Sequence, residues 1–287
     1  RWEQLGDLIL RAARLDSQNV AVLANMGGML SQLGRFADAE DLLERVAWLN
    51  PKYILGPQRR ATNHVAWTGD VAGALRILEP AAAFMSNADL TYEVRGDLRA
   101  ATGDVDGAIA DYEQAHRISA RQGPYSGPRG WMVRDNCKIA RLEIRRGNRA
   151  RADEILRGAR RDAEQYLQDF PKSYEGPLYL ALVQAMQGEK TASRVALEEG
   201  RRIMPQTSAH ISGTLGAPIQ AQILALLGDT DAAVEKLRAL HDAGTAFGYR
   251  LRTEVEWEPL RRDAKFQQLM KEAETRADAV PRANRKP

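Results

Sequence analysis

The chain has 287 residues, 44% of them hydrophobic and 28% charged, with 41 Lys and Arg against 38 Asp and Glu for a net charge of +3. That is an ordinary composition for a folded protein, with enough length for one large core or two modest ones. It excludes a membrane-spanning helix, because no apolar run approaches ~20 residues, and Cys137, the one cysteine, excludes an internal disulfide or a multi-cysteine metal site.

The opening "RWEQLGDLILRAARLD" already reads as a helix, with a stripe of Leu5, Leu8, Ile9 and Ala12. Residues 1–19 match only the second half of a repeat unit, so they are expected to be the second helix of a truncated upstream repeat. No charged-then-apolar signal segment opens the sequence. A cytoplasmic location is expected, or a periplasmic one if a signal or anchor has been removed.

The next stretch, "LGRFADAEDLLERVAWLNP" (33–51), is a turn, an amphipathic helix and a proline stop. Its start returns along the chain as "TGDVAGA" (68–74), "TGDVDGA" (102–108), "RGNRARA" (146–152), "QGEKTAS" (187–193) and "LGDTDAA" (227–233). The turn glycines Gly34, Gly69, Gly103, Gly147, Gly188 and Gly228 are separated by 35, 34, 44, 41 and 40 residues. Small residues stand where paired helices must approach closely: Gly27, Gly96 and Ala140 in first helices, and Ala39, Ala74, Ala108, Ala152 and Ala233 opening second ones, with Ser193 the exception. Leu78, Tyr112, Leu197 and Leu237 then fall where a large side chain packs between the pair.

A helix-turn-helix unit of about 34 residues is the period of the tetratricopeptide repeat, and the sequence resembles that family from end to end. The position that is tryptophan-like in the family holds Leu23, Gln58, Tyr92 and Asn136, so the middle repeats depart from its pattern. The resemblance implies an all-α solenoid, a right-handed superhelix of about six repeats over 20–243. Each unit buries its stripe only against the next.

Two segments depart from the repeat. "RQGPYSGPRGW" (121–131) is rich in glycine and proline and is expected to be a loop insertion between repeats three and four. Residues 244–275 are expected to be a capping region, with Trp257, Leu260, Phe266 and Leu269 closing the last groove, and 276–287 a disordered tail. Within the cap, "EWEPLRRDAKFQQLM" is similar to the "DPLRDDPRFQ" ending of tetratricopeptide regions in bacterial multidomain regulators, which carry a winged-helix, cyclase, kinase or TolB-like domain ahead of the repeats.

Catalytic chemistry is not indicated. His64, His116, His210 and His241 lie in different units without metal-ligand spacing, and no GxSxG or phosphate-binding GxxxxGK[ST] motif occurs. Cys137 stands on a helix among Arg134, Lys138 and Arg141, a setting able to lower a thiol pKa, although a half-buried structural role accounts for it better. No cofactor or metal is expected.

What remains is surface. Residues 129–161 hold eleven Arg and Lys against four Asp and Glu. The resemblance implies that first helices line a concave face, which would place Arg59, Arg60 and Asn63 of repeat two, and Arg134, Lys138, Arg141 and Arg145 of repeat four, on it. Family members that hold a terminal carboxylate use a basic residue and an Asn at the places of Arg59 and Asn63, and basic residues at those of Arg134 and Lys138. Val94 stands where their middle Asn belongs, and Glu93 and Asp97 are acidic intruders. The expected function is therefore a protein-interaction scaffold with a looser basic groove for an acidic peptide, a partner domain or another domain of the same chain, helped by apolar contacts from Tyr179, Leu182 and Met186. The alternative is a regulatory or sensory region of a larger bacterial signalling protein or transcriptional regulator. Nucleic acid fits poorly, because Trp131 is the one aromatic within the basic run.

Overall fold

The computed structural model describes residues 2–84, 88–122, 129–204 and 213–281, and among these every regular element is helical. Of the expected 121–131 loop, residues 123–128 lie outside the described residues, as does His210; helix runs up to Gln122 and resumes at Arg129. The chain divides into two compact units, one of Arg1–Asp104, Gly244–Val255 and Gln267–Pro287, the other of Val105–Ala243 and Glu256–Phe266.

In the first unit, α1 (Trp2–Leu15) packs on the repeat pair α2 (Val20–Gln32) with α3 (Phe36–Leu49); a second pair, α4 (Leu55–Thr68) with α5 (Val71–Phe84), and α6 (Asp89–Thr102) follow. The second holds α7 (Val105–Gln122), α8 (Arg129–Arg145), α9 (Arg149–Asp169), α10 (Glu175–Gln187), α11 (Lys190–Ile203), α12 (Gly213–Leu227) and α13 (Thr230–Asp242). After α13 come the one-turn α14 (Arg250–Thr253), a 3-10 turn (Val255–Leu260) and α15 (Ala264–Asp278).

The repeat signature has a direct physical cause. All six turn glycines have φ between 70° and 88°, the left-handed conformation that reverses the chain without a Cβ penalty. Five of the six turns close with the paired bonds of a Schellman cap; at Gly103, for instance, Asp104 N–H reaches Arg99 O at 3.0 Å and Gly103 N–H reaches Ala100 O at 3.2 Å. The alanines opening the second helices are all fully buried, and so is Ser193, whose hydroxyl donates to the Ala181 carbonyl at 2.8 Å and so keeps no polar group unpaired. Gly27 sits where an added Cβ would come 2.8 Å from Leu43 Cγ, so α2 and α3 approach closely there. At the tryptophan-like position of repeat two, the buried Gln58 Nε2 donates to Thr91 Oγ1 at 2.7 Å, a polar contact in place of an apolar one.

Three expectations are revised. On α1, Ile9 is buried against Leu30 and Ala39, while Leu8 and Leu15 stay exposed. The cap does not act as one piece on the last repeat. Residues 256–266 belong to the second unit, where Lys265 pairs with Asp231 at 2.6 Å, whereas 244–255 and 267–281 belong to the first, with repeats one and two. The start of the supposed tail is folded as well: Ala277 is buried and Val280 packs on the cluster of Phe36, Ala66, Trp67 and Ala246. The amphipathic pattern showed that these residues need a partner and could not show which one.

Candidate peptide-binding surfaces

Arg59 and Arg60 are adjacent on α4, so their side chains leave the helix about 100° apart and reach different neighbours. Arg59 lies along α2. Its Nη2 donates to Asn25 Oδ1 at 2.9 Å, and Gly28 makes room for it, since a Cβ there would come 2.0 Å from Arg59 Nη1. Burial lowers the Arg59 pKa from its usual value, and its Nε has no partner among the described residues. Arg60 turns to α3 and forks across Glu40 at 2.6 Å and Glu44 at 2.8 Å. Asn63 is fully buried and donates to the Phe36 carbonyl at 3.1 Å and to Glu40 at 3.3 Å. Of the three residues expected on the groove in repeat two, Arg60 and Asn63 therefore bind α4 to α3, and Arg59 keeps a buried Nε with no partner among the described residues.

The α8 residues are placed differently. Lys138 is buried, its Nζ 5.3 Å from the centroid of the buried Tyr112 ring. Arg141 Nη1 donates to the Glu256 carbonyl at 3.3 Å, and Arg145 Nη1 to Glu258 Oε1 at 3.0 Å. Arg134, Lys138 and Arg141 border a cleft of only about 10 Å³ with Cys137, Leu182, Gln222 and Glu256. That space admits a water molecule and no ligand group. The basic face of repeat four thus lies against the chain's own 256–258 segment.

The apolar side chains expected to form shallow pockets are core instead. Tyr179, Leu182 and Met186 are buried, and Tyr179 meets Tyr166 edge-on with ring centroids 5.5 Å apart. Burial raises the Tyr179 pKa, and desolvation with a hydrogen bond to Glu175 pushes Tyr166 up to about 12. Cys137 is buried too, and desolvation outweighs the nearby Arg141 and Arg134 to push its thiol up to about 12, so it is neutral rather than activated. Much of the basic run is consumed on the surface: Arg146 bridges Glu143 and Asp106, each at 2.7 Å, Arg149 meets Asp153, and Arg160 meets Glu164 and Glu189.

Sequence reasoning missed the segment that meets this face, where the Glu256 carbonyl and the Glu258 carboxylate accept from Arg141 and Arg145. It also missed residues 246–249. Ala246 N–H donates to the Gln32 carbonyl at 2.8 Å, and Tyr249 N–H to that of Ala66 at 2.9 Å. Among the described residues, no three His, Cys, Asp or Glu side chains gather as a metal-binding group, and no helix is long and apolar enough to cross a membrane.

No protein-family model and no curated protein matches the chain in sequence. Solved structures do. The crystal structure of the APC/C hetero-tetramer Cut9–Hcn1 matches with a TM-score of 0.50 at 13% identity, over 95% of this chain and 52% of that one. A crystal structure of MamA gives 0.47 at 18% identity over 58% and 91%, and a tetratricopeptide repeat protein from Parabacteroides merdae gives 0.42 at 16% identity over 92% and 94%. At such identities the likeness speaks of fold alone. With left-handed glycines at all six repeat turns and a fully buried alanine or serine opening each second helix, the fold of this chain is that of the tetratricopeptide-repeat proteins.

Proposed function

We propose that the chain is a non-catalytic protein-interaction scaffold whose first-helix faces hold short acidic segments of a partner. The observation that carries this is on α8, where Arg141 and Arg145 already hold residues 256–258 of an acidic stretch, one through a backbone carbonyl and one through a carboxylate. Arg134 beside them shares the chemistry, with Lys138 and Tyr179 supporting α8 from the core; separately, in the first unit, Arg59 offers a guanidinium on α4, the helix that Arg60 and Asn63 fix. A protein partner, or another domain of the same chain, would present carboxylates to these guanidinium groups. Half-exposed pairs contribute only ~0–1 kcal/mol each, so affinity is modest and salt-sensitive.

The test uses a labelled peptide of residues 254–260 and the full chain carrying Glu258→Arg, in which the resident segment repels Arg145. The peptide should bind saturably, more weakly as salt rises, and not at all once Arg141→Glu and Arg145→Glu are added. Absence of binding to the Glu258→Arg protein, or binding that survives the double reversal, sinks the proposal. A second reading, a regulatory region of a larger bacterial signalling protein or regulator, is favoured by the ending Glu256–Met270 alone. It is compatible with the same face being used in cis.

A further inference from the structure

The turns of repeats one and two differ from the rest. At Gly103, Gly147, Gly188 and Gly228 an added Cβ would meet nothing within 4 Å, so those turns are bare. At Gly34 it would come 3.1 Å from Ala246 Cβ, and at Gly69 2.8 Å from the Tyr249 ring. These two turns are covered by one short run of the chain, Ala246–Tyr249.

The cover is held by backbone bonds that local structure leaves open. A helix ends with four carbonyls lacking intrahelical partners. Around Gly34 the Schellman cap satisfies Leu30 and Ser31, Leu33 N–H satisfies Met29, and the remaining carbonyl, Gln32, accepts from Ala246. The turn at Gly69 is the one that does not form the paired cap. Gly69 N–H reaches Val65 O at 3.0 Å, and Asp70 N–H is diverted to Thr68 Oγ1 at 3.0 Å. Ala66 O is thereby left over, and Tyr249 N–H takes it.

Side chains add selectivity. Phe36 and Trp67 stack at 6.5 Å between centroids and form a shelf for Ala246 and Tyr249. Gly248 has φ 54°, and a Cβ there would fall 1.9 Å from Ala66 O, so no other residue fits without displacing the segment. The Tyr249 hydroxyl then bonds both carboxylate oxygens of Asp278 at 3.0 Å.

We infer that the turn edge of repeats one and two is a peptide-recognition site in its own right, selecting a small residue, a buried aromatic and then Gly-Tyr folded as a turn, and that Ala246–Tyr249 occupies it in cis. Main-chain bonds supply attachment, and the shelf and the glycine requirement supply specificity. A partner bearing the same pattern competes for the edge, and its binding releases residues 244–255. Nothing in this depends on the acidic-segment face of α8.

The experiment compares the full wild-type chain with Gly248→Val and Tyr249→Ala, using a labelled peptide of residues 244–253 as probe. In the wild type the amides of Ala246 and Tyr249 should be protected from exchange and the probe should not bind. In Gly248→Val both amides should exchange freely and the probe should bind at least tenfold more tightly than to the wild type. A probe that itself carries Gly248→Val should not bind. Tyr249→Ala introduces no backbone clash and should show the same gain in smaller measure, which decides the matter if Gly248→Val loses its helical signal. Addition of Arg141→Glu and Arg145→Glu should leave probe binding intact. The inference is overturned if neither folded variant binds the probe, or if the valine probe binds as well as the glycine one.

Discussion

Replacing Gly27 and Gly158 by alanine, one at a time, isolates what close helix approach contributes. Both glycines lie inside helices, α2 and α9, where alanine is favoured by ~0.8–1 kcal/mol through backbone entropy alone. At Gly158 the new methyl would meet only Arg161 Nη2, at 3.9 Å, so that gain should appear undiminished as ~0.8–1 kcal/mol of stabilisation. At Gly27 it would stand 2.8 Å from Leu43 Cγ and 2.9 Å from Cδ2, and Leu43 is fully buried with no space to retreat into. Overpacking of this kind costs ~1–3 kcal/mol, which leaves a net destabilisation of ~0–2 kcal/mol once the helix gain is subtracted. Because the two residues lie in different units, a single global transition is the wrong readout. Native-state amide exchange reports each locally: α2 and α3 amides for Gly27→Ala, α8 and α9 amides for Gly158→Ala. If Gly27→Ala protects α2 and α3 as well as Gly158→Ala protects its own neighbours, the tight α2–α3 approach is refuted, and the register of repeat one falls with it.

Arg60→Ala should destabilise the first unit by ~1–3 kcal/mol, because Glu40 is left largely buried without its guanidinium, while Arg59→Ala should cost less; urea titration of the two variants ranks them. Cys137 should resist a thiol-specific reagent in the folded protein at pH 8. Its pKa rises from 9.0 to about 12, so the folded state keeps a proton that the unfolded state releases. Its contribution is complete below pH 9 and is lost as pH climbs towards 12, with a slope of ~1.4 kcal/mol per pH unit, and that slope should be absent from the difference curve of Cys137→Ala. A double-mutant cycle on Arg145 and Glu258, 46% and 31% exposed, should return a coupling no larger than ~1 kcal/mol that fades in high salt.

The sequence alone determined the repeat. A glycine with positive φ, an alanine five residues after it and a stripe every three or four residues are local requirements, each written within one repeat unit. They locate Gly34 to Gly228, Ala39 to Ala233 and the buried Leu78, Tyr112, Leu197 and Leu237 without any knowledge of distant contacts. The site was legible only in part. That Arg134, Arg141 and Arg145 form a basic face follows from helical spacing. That Arg60 instead forks onto Glu40 and Glu44, or that Lys138 and Tyr179 are buried, depends on which neighbouring helix occupies each direction around α4, α8 and α10. The fate of residues 244–281 belonged wholly to the tertiary structure. Trp67 bonds the Val280 carbonyl across 213 residues, and Ala246 and Tyr249 bond carbonyls left open by two particular helix ends. Those are backbone groups, which every residue carries, so the side-chain pattern holds no mark of them until the chain has folded and brought them together.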